Sequence, residues 1–153
     1  LYPQSKFNVI KEFVIDSAYC ASHSEKPSVK KPVNTNILST EFKNRCKEIK
    51  IVVTADVKYT GDVKQDRFIS LCLKYVHNKK TVVSHSDYIS KLLTVKDYKP
   101  NQWMKMEFIK TISVNDYKEG KLDIYLKPTH TDSYWNPEHT ITLKNINVSI
   151  LGS

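Results

Sequence analysis

The chain has 153 residues, of which 24 are Lys or Arg and 16 are Asp or Glu, so its formal net charge is +8. This length is typical of one domain with its own hydrophobic core, and a hydrophobic fraction of 40% argues against a disordered chain. No apolar run approaches the roughly 18 residues that a membrane-spanning helix needs. Only three glycines are present, and no Gly-rich phosphate-binding motif occurs. We therefore expect a compact basic domain without a membrane span.

The dominant hydrophobic period is two residues, which is typical of β-strands. Residues 7–15 predict a first strand, interrupted by Lys11, and residues 17–36 predict a long polar loop. A turn or two of helix is expected around residues 40–45. Residues 48–59 alternate between apolar and polar side chains along their whole length. They predict a long half-buried strand, the clearest element of the sequence.

A hairpin follows this strand. Residues 68–76 are β-branched and aromatic, the polar run 77–80 has turn character, and residues 81–83 are again β-branched. Two such runs around a short polar segment predict a β-hairpin. Residues 84–102 then predict a polar loop, with a short strand near residues 89–93.

Three further strands are predicted towards the end of the sequence. Residues 103–114 and 122–126 alternate, and proline ends the second of these runs because it lacks the ladder donor. Residues 140–151 predict the last strand. Its apolar phase changes at Lys144 and Asn145, which predicts a β-bulge there.

Together these elements predict an all-β fold, an antiparallel β-sandwich of jelly-roll type. At least seven strands occur at spacings that suit antiparallel connections, and no repeat or composition step marks a second domain. We expect one domain over residues 1–153. Residues 1–47 would supply an N-terminal strand and a long polar loop, and residues 48–151 the main sandwich.

The succession of segments in this main body carries a family resemblance. The segments are residues 49–59, residues 68–75, Asn101-Gln102-Trp103 with residues 104–109, Leu122-Asp123-Ile124-Tyr125-Leu126, and Leu143-Lys144-Asn145-Ile146-Asn147-Val148. Their pattern resembles the β-jelly-roll carbohydrate-binding modules and their galactose-binding-domain-like relatives. The resemblance implies a non-catalytic, lectin-like, extracellular or surface-exposed domain that binds glycans or a surface partner. Lys144 stands where the family often has Asp, so a structural calcium is not carried over, and no cofactor is expected.

An aromatic loop is the candidate ligand-binding site. Adjacent Tyr and Trp residues are unusual in a polar loop, and exposed rings can stack on a sugar while polar neighbours bind its hydroxyl groups. The alternative is that Trp135 folds back as a lid on the core. The candidate ligand-binding residues are His130, Asp132, Tyr134, Trp135 and Asn136.

Other side chains allow competing interpretations. A metal site of His130, Asp132 and His139 matches no standard zinc spacing, so no metal is expected. Trp103 opens a strong strand, which favours packing in the core or at its rim over ligand contact. Cys72 lies in an apolar run and is expected to be buried.

The remaining cysteines, Cys20 and Cys46, lie in polar surroundings. They are candidates for one disulfide if the protein is secreted, provided that their Cα atoms approach.

Three functions remain, in this order. The first is non-catalytic carbohydrate binding, and the second is a structural or protein-interaction jelly roll such as a viral capsid or surface protein. The third is a basic nucleic-acid-binding β domain, against which the dispersed lysines and the presence of only Arg45 and Arg67 argue. An enzyme is not expected, because no catalytic motif occurs. Carboxylates such as Asp56 and Asp123 are expected on exposed faces, and nothing in the sequence brings such a pair together around a glycosidic bond.

Overall fold

The computed structural model of the chain is a two-layer sandwich. The residues that it describes are 7–22, 25–43, 45–60, 69–94, 99–114, 117–129, 131–135 and 139–153. They contain nine strands, one four-residue α-helix and one three-residue 3-10 helix. Within these ranges, no helix has the length and the apolar character that crossing a membrane requires.

The first sheet, called sheet A here, contains five strands. In chain order they are β1 (Asn8–Ile15), β2 (Tyr19–Ala21), β4 (Glu48–Thr60), β7 (Trp103–Ser113) and β9 (Thr140–Gly152). Their spatial order is β1-β9-β4-β7, and β2 pairs with the beginning of β9. Every pair in this sheet is antiparallel.

The second sheet, sheet B, contains the other four strands. They are β3 (Thr35–Lys43), β5 (Ile69–His77), β6 (Lys80–Tyr88) and β8 (Glu119–Pro128), in the spatial order β3-β8-β5-β6. The pairs are again antiparallel. The helix α1 (Ile89–Leu92) follows β6.

This strand order is that of a jelly roll. Apart from the short β2, each sheet has four strands, and the chain crosses between the sheets rather than completing one before the other. Such interleaving is how a double-sheet jelly roll combines two Greek keys. The predicted fold class, an antiparallel sandwich of jelly-roll type, is confirmed.

The core lies between the two sheets. β4 alternates without a break, and its inward side chains from Ile49 to Tyr59 are all buried. Leu122, Ile124 and Leu126 of β8 face them from sheet B. Burial of these side chains supplies the main driving force for folding. The outer faces carry polar and charged side chains such as Lys50 and Lys58, so strand periodicity decides which residues of a strand face solvent.

Two local predictions are confirmed by the backbone. The β4–β9 register shifts between Thr54 and Asp56, and Asn145 on β9 has φ 52°, which is the expected bulge. The β5–β6 connection turns at Asn78 and Lys79, with φ values of 50° and 64°. Two residues with positive φ give the turn that joins antiparallel strands with the right twist.

The predicted helix near residues 40–45 is wrong. Residues 35–43 form strand β3, whose register against β8 shifts between Asn36 and Leu38. This irregularity breaks the period of two, so that Ile37 and Thr40 are buried although they are three residues apart. A spacing of three imitates a helix in the sequence. The expected loop over residues 17–36 also contains β2, so the first 47 residues contribute three strands.

The connection after the hairpin also differs from the prediction. β6 continues to Tyr88, beyond the predicted end at residue 83. The sequence does not indicate this extension, because residues 84–88 of this edge strand are mostly polar and show no apolar alternation. Residues 89–92 form α1 rather than a strand, and Leu93 makes an isolated bridge to Met106.

The cysteines do not form a disulfide. Cys72 is buried, as predicted. Cys20 lies opposite Thr142 at the start of β9, whereas the Cys46 sulfur lies against Gly152 at its end. Ten residues of strand separate these points by about 33 Å, so the Cys20–Cys46 bond considered above cannot close.

Candidate functional site

The aromatic loop is held in place by a second loop from the other half of the chain. Residues Asp132–Tyr134 form a 3-10 helix, closed by a hydrogen bond from the Trp135 N–H to the Asp132 carbonyl at 3.1 Å. The Asp132 carboxylate accepts hydrogen bonds from the Ser28 hydroxyl and from the Ser28 N–H, the latter at 3.0 Å. These hydrogen bonds from Ser28 lower the pKa of Asp132. Asp132 therefore has a structural partner within the protein.

Trp135 is half-buried rather than open to solvent. Its indole Nε1 is buried and lacks a hydrogen-bond partner among the described residues. The ammonium of Lys26 lies 5.7 Å from the ring centroid. This geometry agrees better with the packing alternative for Trp135 than with a fully open stacking platform.

The structure covers part of the predicted site. Asp132 and Trp135 lie in the same turn, and the backbone of Tyr134 belongs to it. His130 and Asn136 lie outside the described residues. The proposed joint action of the five residues stays a prediction.

His139 is buried and is therefore not placed as an exposed ligand of the aromatic loop. It is 5% exposed, and its ring packs against that of Tyr59 with the centroids 6.0 Å apart. Among the described residues, no group of three His, Cys, Asp or Glu side chains is arranged to hold a metal ion.

A second group of residues lies on the outer face of sheet A, and the sequence analysis did not assign it a function. Trp103, at the start of β7, is 41% exposed, so of the two expected positions, in the core or at its rim, the core is excluded. Its neighbour on β4 is Lys58, whose ammonium lies 5.2 Å from the ring centroid. Lys144 of β9 reaches over from two strands away, to 3.9 Å. We call Trp103, Lys58 and Lys144 the Trp103 cluster.

Asp56, the carboxylate beside this cluster, already has hydrogen-bond donors. Asp56 lies beside Lys144 in the sheet, and it accepts hydrogen bonds from the Lys105 ammonium and from the Asn145 amide, the latter at 2.7 Å. Both hydrogen bonds lower the pKa of Asp56, and the one from Lys105 has the larger effect. The left-handed conformation of Asn145 in the bulge positions its amide for this contact. Asp56 therefore offsets only part of the positive charge of Lys58 and Lys144.

The outer face of sheet B carries two shallow cavities. A cavity of about 610 Å³ near the β5–β6 turn is lined by residues that include Lys43, Asn78 and Glu119. A second cavity of about 240 Å³ lies further along β8. Lys121 lines both cavities.

Asp123 is one of the residues that line the smaller cavity. It is 7% exposed, accepts a hydrogen bond from Ser39 at 2.6 Å and lies 3.9 and 3.8 Å from the ammonium groups of Lys74 and Lys121. The expectation of an exposed position is wrong, because long lysine side chains cover this carboxylate. Asp56 lies on the outer face of the opposite sheet. The two carboxylates therefore do not share a cleft, as flanking a glycosidic bond would require.

The contacts that sequence reasoning missed are all between distant parts of the chain. Alternation places Trp103 and Lys58 on outward faces, but their adjacency depends on the β4–β7 register. Ser28 and Asp132 are separated by 104 positions. A strand period predicts which face a residue takes, while cross-strand neighbours follow from register.

No protein-family model matches this chain, and no curated protein sequence matches it. Its fold is similar to solved structures from infectious bursal disease virus. One is the VP2 subviral particle, with a TM-score of 0.59, 10% identity and 96% of this chain covered. Another is the T=1 particle derived from this virus, with a TM-score of 0.61, 8% identity and again 96% coverage. The structure of the Gt strain gives 0.59 and 10%.

The chain spans about a third of the length of these virus proteins, 33% and 32% of the first two chains. At such low identity the similarity shows the fold, a β-jelly-roll sandwich. The general part of the predicted resemblance, a β-jelly roll, is thereby confirmed. The neighbours named here are virus particle structures rather than carbohydrate-binding modules.

Proposed function

We propose that this protein is a non-catalytic structural jelly roll that associates with further copies of itself, as the building blocks of a particle do. The observation that carries the proposal is the jelly-roll fold, which is similar to that of the VP2 subviral particle over 96% of the chain. Within this proposal the domain is displayed outside the cell or on a particle surface. The coarser alternative from the sequence, a structural or protein-interaction jelly roll, thus becomes the leading function.

The edge of sheet A that β7 forms supports self-association. β7 is an edge strand of 11 residues and pairs with β4 along its whole length without a register shift. Leu93 and Thr94 bond to it near Lys105 and Met106. Further along, Ile109 is 43% exposed on the outer face. A long regular edge strand with exposed apolar side chains is a template for pairing with another chain.

The net charge opposes this association. At +8, two copies repel each other at low ionic strength. Salt screens such repulsion, because the Debye length falls from about 30 Å at 0.01 M to about 8 Å at 0.15 M. Assembly driven by apolar and edge contacts should therefore increase with salt, whereas binding to an anionic polymer should decrease.

Ile109→Lys is expected to reduce self-association, because it places an added charge on the proposed edge contact without disturbing a buried side chain. The matched control is Val29→Lys, which adds the same charge at an exposed loop valine, 71% accessible. Sedimentation velocity at moderate salt measures both. The proposal predicts smaller species for Ile109→Lys and an unchanged distribution for Val29→Lys. Equal behaviour of the two variants and the unmodified chain would contradict a contact through β7.

Glycan binding at the aromatic loop is the second candidate function. It is favoured by one specific observation, the ordered turn that holds Asp132 and Trp135 together, with the Lys26 ammonium on the indole. A sugar would contact the accessible part of the ring and the polar groups around it.

The test is a glycan array with the unmodified protein and with Trp135→Ala. Neutral-glycan binding that persists at high salt and is lost in a folded Trp135→Ala variant would support this candidate. Binding that Trp135→Ala leaves unchanged would rule out the loop as the glycan site.

A further inference from the structure

The Trp103 cluster has features that particle assembly does not require. A large aromatic side chain is 41% exposed on a strand, although burial of this surface would be favourable. Two ammonium groups, those of Lys58 and Lys144, converge on the same ring at 5.2 and 3.9 Å. Neither lysine forms an ion pair among the described residues.

The convergence leaves a local positive charge. Like charges held close together repel each other, and a ring quadrupole offsets this only in part. The neighbouring carboxylate, Asp56, accepts hydrogen bonds from Lys105 and Asn145. Counting Lys58, Lys144 and Lys105 against Asp56 gives 3 − 1 = +2 beside one exposed indole. An anion placed between the two cluster lysines would relieve this excess.

The surroundings limit the size of the anion. Towards the other end of β4, the outer face continues with apolar Val52 and Ile109 and with the carboxylate of Glu107. The next lysine on this face of β4 is Lys50, eight residues from Lys58, or about 27 Å of strand. The basic area is thus a compact patch and not a track. It suits a single negative group better than the evenly spaced phosphates of a nucleic acid.

The ring adds a second requirement. Because the Lys144 ammonium lies 3.9 Å from the ring centroid, part of the indole surface is covered by a cation. A saturated ring that carries its own anionic group can bind the ammonium groups with that group and contact the remaining indole surface with its C–H bonds. Acidic sugars have this combination of an anionic group and an apolar ring face.

We propose that Trp103, Lys58 and Lys144 form a binding site for an acidic sugar residue, carboxylated or sulfated, on the outer face of sheet A. The site is distinct from the aromatic loop, which lies at the Ser28–Asp132 contact. Trp103 lies on the same strand as the proposed edge contact, six residues before Ile109, or about 20 Å of strand away. The site can therefore be tested independently of self-association.

Tryptophan fluorescence isolates this site, because the chain contains two tryptophans. In a Trp135→Phe background, Trp103 is the remaining reporter. Sialyllactose and galactose sulfate serve as acidic probes, lactose as the neutral probe and oligothymidylate as the nucleic-acid probe. We expect both acidic probes, or one of them, to change the Trp103 emission, and lactose to leave it unchanged.

Lys144→Gln is the decisive variant, and Lys80→Gln is its matched control. Lys80 is exposed in the β5–β6 hairpin of sheet B. Replacing it by Gln removes the same charge far from the cluster. We expect Lys144→Gln to weaken acidic-sugar binding about tenfold, the loss of one charge-assisted contact, and Lys80→Gln to weaken it less than about twofold.

Three outcomes would overturn the assignment. Equal weakening by the two substitutions would mean that binding follows the overall charge. Tighter binding of oligothymidylate than of either acidic sugar would assign the cluster to nucleic acid. No emission change with either acidic probe up to about 10 mM, a concentration that detects even millimolar affinity, would reject an acidic-sugar site.

Discussion

Replacing Phe108 by alanine is expected to lower the free energy of unfolding by about 3–5 kcal/mol. Phe108 lies in the middle of β7, is 0% exposed and is among the largest side chains that are fully buried. The substitution removes apolar contacts and leaves a cavity that neighbouring strands cannot fill without losing their register. Since small domains are stable by about 5–15 kcal/mol in total, this loss is a large fraction. Urea denaturation followed by circular dichroism measures it.

The adjacent residue provides the control. Ile109 follows Phe108 on β7 but points outward, so Ile109→Ala should change stability by about 0.5 kcal/mol or less, as is usual at exposed sites. A similar loss for both variants would contradict the orientation of β7 in the sandwich. The same measurement also shows whether Ile109 can be substituted in assembly experiments without unfolding the domain.

Gly120→Ala is expected to destabilise the domain by about 1–3 kcal/mol or more, as overpacking of a core does. A Cβ atom at Gly120 would lie 2.8 Å from Cε1 of Tyr75 and still closer to its Cζ and hydroxyl. Tyr75 is fully buried, and its hydroxyl donates a hydrogen bond to the Tyr117 carbonyl at 2.6 Å. The ring therefore cannot move aside without breaking this contact.

A double-mutant cycle isolates the steric cause. Tyr75→Leu removes the ring atoms that the added methyl group would meet. In this background Gly120→Ala should cost clearly less than in the unmodified chain. If the cost is the same in both backgrounds, the close approach of β8 to Tyr75 is not the reason for glycine at position 120.

Much of the fold can be predicted from the sequence where periodicity is uninterrupted. β4 alternates over 13 residues, and the burial pattern follows it residue by residue. The phase change at Lys144 and Asn145 predicts the bulge in β9 correctly, because a bulge shifts the alternation by one residue. A bulge also explains why the sequence does not predict β3. Its irregularity between Asn36 and Leu38 lies within a shorter strand and destroys the pattern.

The candidate sites are less accessible to sequence reasoning. The aromatic loop was recognisable from its composition, but the half-burial of Trp135 depends on packing that composition does not reveal. The phase of Trp103 in β7 is opposite to that of Met104 and Phe108, which favours the rim over the core, but phase alone does not show which side chains the ring contacts. Its contact with Lys144 joins residues that are 41 positions apart. Such contacts follow from strand order and register, which a single sequence determines only indirectly.

The central claim is that this jelly roll assembles with copies of itself, and sedimentation velocity of the unmodified chain at increasing salt tests it most directly. The single chain has a mass of 17.7 kDa. We predict that, between about 20 mM and about 500 mM salt, where screening shortens the range of charge repulsion, the distribution shifts from this mass to defined larger species. A distribution that stays at the mass of one chain at every salt concentration would contradict the claim.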